Sequence, residues 1–286
     1  MHGAGNDYIY VYQPANPIPD PAKASIAWSR PHFGIGSDGL ILIDKSDNPE
    51  ADFTMRIFNN DGSEARMCGN GVRCVAKYVY DHHLTDKTTI AVDTLSGIKV
   101  IQLHLENGIP TAATVDMGEP SFDHSDRFST LSLGSSENSQ IGSAASLVEE
   151  LSTFNSQLST YVSMGNPHVV QFVDDVTNLD VAALGRRLEY EAVPDERCNI
   201  EFATVRPDGT IRMRVWERGS GITLACGTGA CATAVAACLT GRTGRESRIE
   251  MDGGTLDIRW RESDNHVLMT GPAATVFEGE IEMSTI

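Results

Sequence analysis

Cys68-Gly69-Asn70-Gly71-Val72-Arg73-Cys74 and Cys226-Gly227-Thr228-Gly229-Ala230-Cys231 are two versions of one phrase, each leading into an apolar helical stretch. A helix N-terminus carries unsatisfied N–H groups and roughly half a positive charge, so it favours a thiolate and lowers a cysteine pKa from about 8.5 toward neutrality. One cysteine so placed suggests a nucleophile, and a matched pair suggests an acid and a base. The repetition extends outward: Asn59 and Glu217 each lie nine residues before their cysteine, and Gly5-Asn6-Asp7 is echoed by Gly165-Asn166-Pro167. An internal shift near 158–160 in a chain of 286 residues reads as two related halves rather than a solenoid.

Working outward from the two cysteines, 69–84 places Val72, Val75, Ala76, Val79 and Tyr80 on one helical face, and Ala230 to Leu239 is apolar all round before Gly241. A helix without a polar face must be enclosed. Strands are expected at 8–12, 40–43, 54–58, 88–93, 98–105 and 111–117. In the second half they are expected at 161–164, 168–173, 199–205, 210–216, 247–251, 255–261, 266–270 and 274–283. Asn107-Gly108 and Pro207-Asp208-Gly209 mark turns. The expected fold class is α/β (α+β): two pseudo-symmetric halves, each a curved, mostly antiparallel sheet around one central helix. The halves divide as 1–118, completed by a C-terminal strand over 274–286, and 119–273. The Ser-rich stretch 121–159 reads as a connection with a short helix near 144–154. Gly34 to Gly39 formally matches G-x-G-x-x-G but opens a strand rather than a helix, which argues against a dinucleotide site.

Composition narrows the partners. A net charge of −17 with no basic cluster argues against nucleic acid, and no apolar run reaches the ~20 residues that cross a bilayer. Met1-His2-Gly3 leads almost directly into a strand with no charged-then-apolar leader, so a cytoplasmic protein with reduced thiols is expected. The six cysteines match no zinc spacing, and no metal site is expected. Cys74, Cys198, Cys231 and Cys238 read as small buried hydrophobes.

Six ordered motifs resemble diaminopimelate epimerases, which are amino-acid racemases that use no cofactor. They are His2-Gly3-Ala4-Gly5-Asn6-Asp7, Phe58-Asn59-Asn60-Asp61-Gly62-Ser63-Glu64, Met67 to Gly71, Met164-Gly165-Asn166-Pro167-His168, Cys198-Asn199-Ile200-Glu201-Phe202, and Trp216-Glu217-Arg218-Gly219 through Ala225 to Gly229. The resemblance implies two barrel-like halves, each enclosing a helix, with the active site between them. It implies epimerisation of L,L-diaminopimelate to the meso form, in lysine and cell-wall precursor biosynthesis, by a homodimer. Cys68 and Cys226 would be the acid–base pair, with His168 and Glu217 tuning the two thiols. Gly69 with Asn70, and Gly227 with Thr228, would hold a carboxylate; Asn6, Asn59, Asn166, Asn199, Glu217 and Arg218 would hold the remaining substrate groups. Some relatives carry a ligand-contacting Gln where this chain has Gly39, and here only Met1 precedes the first motif. Proline racemases share Cys-Gly-Thr-Gly but carry His where Asn70 stands. A same-fold racemase acting on another amino acid such as histidine, a thiol redox sensor, and a non-catalytic amino-acid binder are the competing readings.

Overall fold

The computed structural model describes residues 1–122, 159–193 and 196–282. The chain falls into two units, Met1–Asp116 with Thr270–Ile286 as unit 1, and Met117–Met269 as unit 2. Unit 1 opens with β1 (His2–Gly3) and β2 (Asn6–Asp7), joined by Ala4 and Gly5 with φ of 54° and 80°. Two successive left-handed residues make this the tight turn whose twist suits a hairpin. Strand β3 (Ile9–Tyr12) then crosses over through α1 (Pro21–Trp28) to a parallel partner, β4 (Gly39–Lys45), which pairs antiparallel with β5 (Phe53–Asn59). The short β6 (Glu64–Ala65) folds back on β5, and α2 (Gly69–Asp81) follows. After it come β7 (Thr89–Asp93), parallel to β5, and the meander β8 (Lys99–Glu106) and β9 (Ile109–Asp116).

Unit 2 repeats the plan. Strand β10 (Ser159–Ser163) precedes β11 (Pro167–Phe172), α3 (Val181–Glu191), β12 (Asn199–Val205), β13 (Ile211–Glu217) and β14 (Gly221–Thr223). Helix α4 (Gly227–Leu239) leads to β15 (Glu246–Met251), β16 (Gly254–Trp260) and β17 (Val267–Pro272), the last of which returns the chain to unit 1. The duplication reaches the hydrogen-bond register. The parallel pair Ile9↔Leu40 recurs as Val169↔Ile200, 160 residues on at both positions. The antiparallel pair Ile57↔Ala65 recurs as Val215↔Thr223, 158 on at both, and the parallel pair Phe53↔Val92 recurs as Ile211↔Ile249.

Each unit encloses its cysteine-capped helix. In α2 the first nine residues are buried, Arg73 and Lys77 among them, and Lys77 satisfies its ammonium on the Pro110 carbonyl (2.9 Å) and Asp81 (2.7 Å). Helix α4 is nearly all Ala, Val, Cys and Thr, small side chains that let the strands of unit 2 close on it from several sides.

The structure differs from the sequence expectation in four places. Each unit has a second helix outside its sheet, α1 and α3, started by Asp20 and Asp180, whose side chains accept from Lys23 N and Ala183 N. Among the described residues four strand pairings are parallel, because these helices and the two enclosed ones serve as crossovers. Helix α2 stops at Asp81 rather than at 84, since His83 turns left-handed at φ 54°. No strand forms over 275–282: Ala274 makes one bridge to His2, and beyond it Val276 and Phe277 lie exposed. The expected helix near 144–154 lies outside the described residues.

Candidate active site

In both units the reactive-looking cysteine is the N-cap itself. Cys68 has φ −135° and ψ 115° and its sulfur accepts from Gly71 N at 3.3 Å; Cys226 has φ −124° and ψ 111° and accepts from Gly229 N at 3.4 Å. Each sulfur stands where a Ser or Asp oxygen ordinarily caps a helix. The next two residues, Gly69 and Asn70 or Gly227 and Thr228, supply first-turn N–H groups suited to an anion. None of the six cysteines is in a disulfide, and Cys74, Cys198 and Cys231 are completely buried, as small hydrophobes would be.

Around Cys68, the β1–β2 hairpin brings Asn6 to the sulfur: the thiol donates to Asn6 Oδ1 at 3.1 Å, and Asn6 Nδ2 donates to Asp38 Oδ2 at 2.6 Å. Asp38 also accepts from Asp7 N, and burial followed by the Asp38 charge raises the Asp7 carboxyl above its ordinary value. Asn70 is buried and its Oδ1 accepts from Arg73 Nη2 at 2.8 Å. Gly3 is needed beside them, because an added Cβ would stand 3.0 Å from both Arg73 Nη2 and the Asn70 carbonyl. Asn59, at the end of β5, donates to Ser63 Oγ. Gly39 faces the same strand end, and a side chain there would sit 2.1 Å from the Phe58 carbonyl oxygen, so this backbone leaves no room for Gln.

Around Cys226 the groups differ. The sulfur lies 3.5 Å from Thr228 Oγ1, Asn166 Nδ2 donates to Thr228 Oγ1 at 3.3 Å, and Asn166 Oδ1 lies 3.2 Å from His168 Nε2. His168 Nδ1 meets Glu201 Oε1 at 2.7 Å, with both side chains at 0% exposure. Glu201 drew no role from the sequence, where it is one residue in an apolar strand. Burial, then the charges of Glu217 and Glu201, push the Cys226 thiol well up, outweighing the Thr228 hydroxyl and the Gly229 N–H. The helix N-terminus therefore does not bring this thiol toward neutrality, contrary to the sequence expectation. Burial likewise raises Glu217, which accepts from Thr223 Oγ1 at 2.5 Å.

The loop after Glu217 is tied down from two sides. Asn199 is buried and uses its amide as a clip, Oδ1 accepting from Arg218 N at 2.9 Å and Nδ2 donating to the Pro167 carbonyl at 3.0 Å. Glu189 of α3, also unremarked in the sequence, accepts from Trp216 Nε1 (2.7 Å), Gly219 N (3.1 Å) and the Arg197 guanidinium; burial opposes its ionisation, but these bonds hold its carboxyl below the usual range. Arg218 itself is exposed, with Nη1 on the Arg197 carbonyl. The structure thus gathers Asn6 and Asn70 with Cys68, and Asn166, His168, Glu217 and Thr228 with Cys226, while Asn59 bonds within its own loop and Asn199 ties β11 to the loop after Glu217. Among the described residues no three His, Cys, Asp or Glu side chains form a metal-holding cluster, and no helix is long and apolar enough to cross a membrane.

A hydroxyproline epimerase from Agrobacterium vitis is similar in fold, with a TM-score of 0.63 at 14% identity over 96% of this chain and 89% of its own. A PhzF-family phenazine biosynthesis protein from Bacillus anthracis reaches 0.68 at 17% identity over 99% and 95%. At these identities the likeness concerns the fold. Curated relatives are far more similar: the diaminopimelate epimerase of Bacteroides thetaiotaomicron is 56% identical over 286 residues, covering 99% of this chain and 96% of that one. That of Phocaeicola vulgatus is 54% identical over 284 residues, covering 99% and 97%. The profile of the family described as Diaminopimelate epimerase matches residues 1–122 and 160–276, and the chain belongs to that family.

Proposed function

We propose that this protein epimerises L,L-diaminopimelate to meso-diaminopimelate, with Cys68 and Cys226 as the acid–base pair. The observation that carries the proposal is the pair of cysteine caps, alike in backbone angles and in sulfur-to-amide distance, in a chain more than half identical to curated diaminopimelate epimerases. Inverting a carbon centre requires removing a weakly acidic proton from one face and returning one to the other, which a thiolate and a thiol do without turning the substrate over. The carbanion needs its charge held by preorganised donors, and two sets of first-turn N–H groups are suited to its carboxylate. Cys226, pushed up by burial and by Glu217 and Glu201, rests as the thiol and is the donor; Cys68 takes the part of the base once its thiol has released the hydrogen it gives to Asn6 Oδ1. Asn70 and Thr228 serve the substrate carboxylate. Asn6, Asn59, Asn166, Asn199, Glu217 and Arg218 hold the remaining polar groups, Arg218 through a planar fork matched to a second carboxylate. The thiol chemistry calls for reduced cysteines, which supports a cytoplasmic location; by resemblance the enzyme is a homodimer.

Incubating the protein with L,L-diaminopimelate in deuterated water, without pyridoxal phosphate or added metal, tests this. Meso product with deuterium at the inverted carbon is expected. Failure to exchange the α-proton of diaminopimelate, with exchange on another amino acid such as histidine, would transfer the reading to that substrate. No exchange on any amino acid would end it.

A further inference from the structure

We propose that Glu201 is a positioning residue for Cys226: its carboxylate fixes the His168 ring, and the ring orders Asn166 and Thr228 so that the Thr228 hydroxyl donates to the Cys226 sulfur. The clause about Cys226 rests on the epimerase reading, whereas the hold of Glu201 on His168 does not.

The space under the two caps differs between the units. In unit 1 a Cβ on Gly71 would meet Ile41 Cδ1 at 2.7 Å and Met55 Cε at 3.1 Å, so the first turn of α2 rests on apolar side chains. In unit 2 a Cβ on Gly229 would meet Glu201 Oε1 at 2.6 Å. Ile41 and Glu201 are counterparts, 160 residues apart in strands whose registers repeat with that same shift, and Tyr8 and His168 are related in the same way. The duplication therefore placed a carboxylate and an imidazole together in one unit only, both fully buried.

A buried carboxylate requires a counter-charge or a proton. The second oxygen of Glu201, Oε2, is buried without a hydrogen-bond partner, so the group depends on what Oε1 meets, which is His168 Nδ1 at 2.7 Å. One hydrogen is therefore shared between His168 Nδ1 and Glu201 Oε1. The other ring nitrogen faces Asn166 Oδ1, an acceptor, and so carries hydrogen. From there each donor points the same way: Asn166 Nδ2–H to Thr228 Oγ1, and the Thr228 O–H to Cys226 Sγ. When Cys226 gives up its proton, the resulting thiolate keeps that hydroxyl donor, and no proton needs to travel along the chain of bonds. Other titratable groups facing the pair are Glu217 from β13, Cys226 at the cap of α4 and Cys198 just before the strand of Glu201.

Nitrogen-15 NMR of the histidine-labelled full-length protein reads the ring directly, with His168→Gln identifying the resonances. Hydrogen is expected on Nε2, the ring nitrogen that faces Asn166 Oδ1. In Glu201→Gln the ring signals should change, and kcat should fall about tenfold or more with KM little changed, while Glu201→Asp should recover part of the loss. A bare Nε2 in the wild-type protein would overturn the proposal even if no Glu201 variant folds. Wild-type kcat in Glu201→Gln would overturn the positioning role. Should Nε2 carry hydrogen but diaminopimelate exchange no proton, the epimerase reading fails and the His168–Glu201 pairing stands.

Discussion

The two units share a backbone plan down to strand register and the angles of the capping cysteine, yet they surround their sulfurs with different chemistry. Cys68 is partly exposed and donates directly to Asn6, whose amide is held by the exposed Asp38. Cys226 is 6% exposed and reaches its asparagine only through Thr228, with Glu217 and a buried His168–Glu201 pair behind it. A duplicated scaffold places two thiols alike, and unequal burial and charge set them apart, pushing the Cys226 thiol up. This is the asymmetry that the proposed acid–base pair needs, because two identical thiols would be protonated or ionised together.

Removing either sulfur breaks the comparison outright. Cys68→Ala and Cys226→Ala should each lower kcat for epimerisation by at least about a thousandfold, and the double variant should be hardly worse than either single one. Near-additive losses, measured in matched assays, would mean that the two cysteines do not act as a unit. A serine in either place can still donate but is a poor base, so Cys→Ser proteins should retain some exchange while failing to invert the centre.

The space beneath the caps offers a subtler comparison. Gly229→Ala drives a methyl against the Glu201 carboxylate and to within 3.3 Å of Cys226 Sγ, so a loss of about 1–3 kcal/mol in stability and a clear loss of turnover are expected. Gly71→Ala presses only on the mobile ends of Ile41 and Met55, and should cost about 1 kcal/mol or less. Denaturant unfolding of the two variants side by side decides the matter. Equal losses would show that Glu201 yields as readily as an aliphatic side chain.

The smallest effect is an alkaline one. Burial, then the charges of Glu196 and Glu201, push the Cys198 thiol far up, and Cys226 is raised as well. In the unfolded chain both thiols ionise near pH 8.5, so above that pH the unfolded state binds fewer protons than the folded one and stability falls with rising pH. The contribution is complete below about pH 8.5 and is lost as pH climbs toward the folded-state values. Cys198→Ala should flatten the decline between about pH 8.5 and 10, as followed by Tm. An unchanged slope would show that Cys198 does not contribute.

The sequence made the repeated features legible and the crossing ones obscure. Both caps, the enclosed helices, and the turn at Asn107-Gly108, whose φ values are 53° and 82°, follow from local chemistry visible in a few residues. Asp20-Pro21 carried a usable helix-start signal for α1, an N-cap followed by proline at the first helical position. The parallel pairings were hidden because their partners lie far apart in sequence, Val169 and Ile200 by 31 residues and Phe53 and Val92 by 39. Glu201 was hidden for a related reason. Its meaning depends on His168, 33 residues earlier, and on a glycine in the following helix that leaves room for its oxygen.

A sulfur that caps a helix cannot change its proton without changing the cap. The amides of Gly71 and Gly229 point at Cys68 and Cys226, and a thiolate accepts such a bond more strongly than a thiol does. In the proposed reaction the first turns of α2 and α4 would therefore be alternately tightened and loosened. The two glycine amides serve as built-in gauges of charge, readable in solution by their proton shifts and exchange rates, and they would report which sulfur is ionised at each stage without any label on the sulfur itself.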